Sequence, residues 1–170
     1  LVYTMKMKFL TRSLSSFSIF SLALLFSCGD DGGGTNPMKT QLGKLSKQWS
    51  IVSADLDNSA ANETTGFTNF KLTIGGTFDS GSPEGPYTYS VTGSRPTPSP
   101  WPGASEGNGG EWSFAAEPEG DSGLIIRDDG VGMAYEINGS ELTLTFNFTG
   151  SGYDGARTAE VNGNWTFVFN

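Results

Sequence analysis

Gly123-Leu-Ile-Ile-Arg127, Asp128-Asp129-Gly130, Val131-Gly-Met-Ala-Tyr-Glu-Ile137, Asn138-Gly139 and then Leu142-Thr-Leu-Thr-Phe-Asn-Phe148 form the stretch that decides the fold. Leu142, Leu144, Phe146 and Phe148 alternate with Thr143, Thr145, Asn147 and Thr149, the period of a half-buried strand. Asp-Gly and Asn-Gly between alternating runs are strong hairpin signals, because a type I′ turn needs positive φ at both central residues. Two such connections in succession predict strands at Gly123–Arg127, Val131–Ile137 and about 141–148 that pair in sequence order.

Working outward, the same alternation recurs on both sides. Towards the C-terminus, Trp165, Phe167 and Phe169 alternate with Thr166 and Val168, so a strand over Asn164–Phe169 is expected. Towards the N-terminus, strands are expected at Glu111–Ala115, Pro86–Thr92, Phe67–Phe78 and Trp49–Leu56. The apolar phase shifts between Ile51 and Val52, which suggests a bulge or a strand covered on both faces. Leu42 and Leu45, spaced i, i+3 within Met38–Gln48, suit one or two helical turns plugging one end of the domain.

Eight strands without a crossover helix predict an all-β domain, an antiparallel up-and-down barrel. Its last strand would pair with its first and so remove both open edges. A β-sandwich is the alternative, since it also needs seven or eight short strands. Trp49, Phe70, Tyr87, Tyr89, Trp112, Phe114, Tyr135, Phe146, Phe148, Trp165, Phe167 and Phe169 all fall on the inward phase. So many large rings favour a packed core over a roomy calyx.

A different grammar governs the N-terminal segment. Lys6, Lys8 and Arg12 precede an apolar run from Leu14 to Phe26, and Leu25-Phe26-Ser27-Cys28 follows. Thirteen residues at ~1.5 Å each span about 20 Å, short of the ~30 Å of a bilayer core. The layout is that of a secretory signal peptide over residues 1–27. Leu1–Thr4, ahead of Met5 and Met7, are expected to lie upstream of the true start. Residues 28–38 read as a flexible tether and 39–170 as the barrel domain.

Leu25, Ser27 and Cys28 resemble the lipobox of bacterial lipoproteins. The resemblance implies that Cys28 carries a diacylglyceryl group and becomes the mature, acylated N-terminus. More than one acyl chain makes such anchoring stable. Gly29-Asp30-Asp31 resembles the acidic export signal of surface lipoproteins in Bacteroidota, which implies the outer membrane and its outer face. Leu45–Trp49, Trp112-Ser113-Phe114 after Gly110, Ile125–Gly130, Leu142–Phe146 and Trp165-Thr166-Phe167 after Gly163 carry, by their order, a second resemblance. It is to the lipocalin-like small lipoproteins of Bacteroidota, and it implies a barrel and a small apolar or glycan ligand. The pattern departs from lipocalins at Lys47-Gln48, where Gly-x-Trp would stand, and in the missing helix after the last strand.

Charge and composition narrow the function. The chain carries a net charge of −8, and removing its leader takes away three basic residues and leaves −11. Nucleic acid and anionic surfaces should be repelled. With no histidine, and its single cysteine acylated, thiol, zinc and triad chemistry lose their groups, so neither an enzyme nor a cofactor is expected. Asp55/Asp57, Glu117/Glu119 and Asp128/Asp129 read as solvated turns, and none has the spacing of a calcium loop. A monomer is expected.

One loop stands out. Ser94–Pro102 holds four prolines, one tryptophan and Arg95. Either Trp101 folds back as a lid over the aromatic core, or Trp101, Arg95, Tyr87 and Tyr89 form a ligand-binding surface at the barrel mouth. Two functions follow: a binder of a small apolar or glycan ligand, or a filled barrel whose loops engage a protein or polymer.

Overall fold

The computed structural model describes residues 35–57, 63–154 and 161–170. Cys28, the leader and Gly29–Asp31 lie outside the described residues. The folded body starts at Asn36, whose Oδ1 accepts from Met38 N at 2.9 Å and Lys39 N at 3.2 Å. This side chain caps helix α1, Pro37–Leu45, with Pro37 at its first turn, where a missing N–H costs nothing. Pro37 and Met38 therefore belong to the helix and not to the tether.

Eight strands follow: β1 Gln48–Leu56, β2 Lys71–Gly75, β3 Tyr87–Thr92, β4 Gly109–Phe114, β5 Ser122–Arg127, β6 Gly132–Asn138, β7 Glu141–Phe148 and β8 Gly163–Phe169. Each pairs antiparallel with its sequence neighbours, and β8 also pairs with β1, so the sheet closes into an up-and-down barrel. The β-sandwich alternative is thereby set aside. β1 serves both seams. Gln48–Ser50 pairs with β2, Ile51–Leu56 pairs with β8, and the register shifts between Ile51 and Ser53, where the sequence changes phase.

The second strand is shorter than the expected Phe67–Phe78. Glu63–Phe67 is a 3₁₀ turn, and Asn69 takes φ 55, a left-handed conformation that breaks a strand and that asparagine tolerates. Phe67 is nonetheless fully buried, edge-on to Phe70, Trp165 and Phe167 at 5.1–5.9 Å between centroids. Neither hairpin is type I′. At Gly130 only the glycine has positive φ, and Arg127 exchanges backbone bonds with Gly130 and Val131, a type I turn closed by a left-handed residue. At Gly139 the positive φ falls on the first of two loop residues, the pattern of type II′.

The two ends are closed differently. At one, α1 buries Met38, Leu42 and Leu45, and its Gln41 Nε2 and Lys44 Nζ bond Gly120 O and Asp121 Oδ1 in the β4–β5 turn. Trp49 Nε1 donates to Leu45 O at 2.9 Å, joining helix to β1. At the other end lie the β1–β2, β3–β4, β5–β6 and β7–β8 connections. Every inward aromatic expected from the sequence is at most 7% exposed.

Candidate functional site

Among the described residues the barrel interior is packed with side chains. The void among its inward side chains is about 10 Å³, apolar, and lined by Leu72, Ile74, Trp101, Trp112, Met133 and Leu144 among others. Ligand pockets run to roughly 300 Å³ or more, and a void this small is at the lower limit for one water.

Trp101 is the reason. The β3–β4 connection turns back into the barrel and sets the indole, fully buried, 5.8 Å from Phe70, 5.7 Å from Phe146 and 5.5 Å from Phe167 between ring centroids. Its backbone N donates to Ser99 Oγ at 3.1 Å, and Ser99 and Tyr153 exchange backbone bonds at 3.2 and 2.8 Å. The indole Nε1 is buried without an acceptor among the described residues. An unpaired buried donor costs about 1–3 kcal/mol, which the aromatic burial around it outweighs.

The four residues expected to make a contact surface do not make one. Trp101 and Tyr89 meet at 6.3 Å inside the barrel. Tyr87 is 3% exposed and sits towards the helix-closed end, its ring on Trp112 and Phe114 and its hydroxyl donating to Pro83 O at 2.7 Å. Arg95 Nη2 donates to Asn108 Oδ1 at 2.9 Å within its own loop. Burial of three large rings takes their area away from any partner. The lid reading of Trp101 is the one its position supports.

The loop-closed end is built instead around Arg127, which the sequence reading passed over. Ile125 and Arg127 share one face of β5, so the alternation that buries Ile125 also turns the guanidinium inward, to 2% exposure. Arg127 Nη1 donates to Pro100 O at 3.0 Å, and Nε and Nη2 donate to the Asp129 carboxylate. The guanidinium lies 5.2 Å from the Trp101 ring, 5.8 Å from Tyr89 and 5.9 Å from Tyr153. A buried charge persists only when paired and hydrogen-bonded, and here both conditions are met. The signal was an arginine in core phase followed by two aspartates.

Asp129 is therefore no solvated turn residue. Its carboxylate also accepts from Tyr153 Oη at 2.6 Å and Val131 N at 3.2 Å. Burial alone would raise its pKa, but the bonds from Arg127 and Tyr153 and the adjacent guanidinium hold it below the ordinary carboxylate value. Burial first, and then its bond to Asp129, push Tyr153 up to about 12.

Beside this network opens a groove of about 280 Å³, lined by Tyr89, Pro102, Glu106, Asp128, Asp129 and Tyr153. Glu106 caps the neighbouring turn by accepting from Gly103 N at 2.9 Å, and Asp128 accepts from Glu111 N at 3.0 Å. Tyr89 is 7% exposed, and its hydroxyl makes no hydrogen bond among the described residues. Burial pushes the Tyr89 phenol far up, so it stays neutral. Among the described residues, no group of three or more acidic side chains could hold a metal ion.

No family model, curated protein or solved structure matches this chain.

Proposed function

We propose that this protein is a lipid-anchored lipoprotein of the outer membrane, exposed at the cell surface and without catalytic activity. Its barrel is a solid platform whose loop-closed end engages a protein or polymer. The filled interior carries this reading, because a void of about 10 Å³ leaves a small apolar ligand nowhere to sit. The groove beside Arg127 is the concave, polar alternative that the same end offers. Anchorage rests on the sequence around Cys28 alone.

Native mass spectrometry of protein purified from its own host tests the platform. The expected mass is that of the acylated chain alone, and a retained small molecule would overturn the reading in favour of a calyx. Fractionation of a Cys28→Ser variant tests the anchor. The variant should leave the membrane fraction, and persistence there would remove the lipoprotein assignment.

A further inference from the structure

Resting on the reading that the loop-closed end is the docking end, we propose that its groove takes an organic cation, the guanidinium or ammonium group of an arginine or lysine side chain in a partner polypeptide. Two independent features point there. The first is charge: Glu106, Asp128 and Asp129 line the groove, among the described residues only Asp129 of the three is paired with a cation, and the whole chain carries −8. Complementary charge steers a basic partner in and holds an acidic one off.

The second is Tyr89. It lines the groove while more than nine-tenths buried, and its unpartnered hydroxyl lies within the electrostatic reach of Asp128 and Asp129. The Tyr89 ring is buried while its oxygen is not among the fully buried unpaired atoms, so the hydroxyl is free to bond a ligand atom in the groove that Tyr89 lines. A neutral phenol can accept from an N–H of the cation and donate to a carboxylate at once. A guanidinium or ammonium can hydrogen-bond to separate carboxylates along such a lining.

The test uses the full chain in detergent micelles and three probes: a short arginine peptide, the same peptide with citrulline, and maltohexaose. Calorimetry measures affinity, and amide shifts at Gly109 and Glu111 locate it. The arginine peptide should bind at the groove, the neutral citrulline peptide should not, and raising salt from about 0.05 to about 0.5 M should weaken binding. Tyr89→Phe, which removes one oxygen, and Asp128→Asn, which keeps an acceptor for Glu111 N, should each weaken it about tenfold or more without shifting the thermal midpoint. Equal binding of the citrulline peptide, or full affinity in both variants, overturns the proposal. Maltohexaose shifting the groove amides while the arginine peptide does not would also overturn it, yet leave the groove as the docking end. If no probe shifts these amides, the cation site is refuted, and the platform reading stands or falls on its own mass measurement.

Discussion

The helix-closed end of the barrel is sealed by many modest contacts, and the loop-closed end leans most heavily on one large side chain. At the first, a capped helix lays Leu42 and Leu45 across the opening and fastens itself through Gln41 and Lys44 to the β4–β5 turn. At the second, Trp101 and Phe67 reach in from the connections to pack on Phe70 and Phe167, and a buried arginine from β5 clamps the chain just before the indole. The difference separates redundancy from dependence. Losing one contact at the helix end leaves the others in place, whereas losing the indole empties the largest side-chain volume that the described loop residues set into the interior.

Trp101→Ala should therefore have the largest effect, costing about 3–5 kcal/mol, a large part of the 5–15 kcal/mol that stabilises an ordinary domain. Urea denaturation reads it directly. A variant melting within a few degrees of the parent would mean that the loop end is not held by its plug. Arg127→Ala comes next at about 2–3 kcal/mol, because it strips Asp129 of its cation and Pro100 O of its donor while Asp129 keeps some access to water. It should also speed exchange of the Ser99 and Tyr153 amides, which bond each other's carbonyls. At the helix end, Asn36→Ala removes the cap for only about 1 kcal/mol, and equality with Trp101→Ala would erase the contrast between the ends.

The same contrast explains what could be read in the sequence. Strand order, closure and the inward ring set follow from a period of two and from turn residues, both local properties, as at Leu142–Phe148. The helix end was legible for the same reason, through the spacing of Leu42 and Leu45. The loop end depends on Arg127 meeting Pro100 and Trp101, 27 and 26 residues away, across a connection without period. Turn chemistry was legible only as the presence of a turn. Asp-Gly and Asn-Gly also fit type I with a left-handed glycine and type II′, and pairing geometry chose between them.

Acid gives the mildest way to sharpen the comparison. Asp129 has its pKa held below the ordinary ~3.9, so between the folded and unfolded values the unfolded chain binds the extra proton. Stability from this group is thus complete above about pH 4 and is lost as pH falls through the folded value. At the helix end Asp121 is depressed as well, first by its hydrogen bond from Lys44, but this pair is exposed to solvent and contributes little. Lowering the pH below about 4 should then loosen the loop end first. Hydrogen exchange, corrected for its intrinsic pH dependence, should show the Ser99 and Tyr153 amides losing protection before Ser46, whose N–H bonds Leu42 O at the end of α1. Asp129→Asn should flatten that acid dependence while leaving the protection of Ser46 unchanged, because the substitution removes the titrating group and nothing from the helix. Loss of protection at both ends together would mean that the barrel opens as one unit, and that the two closures are coupled through the aromatic stack between them.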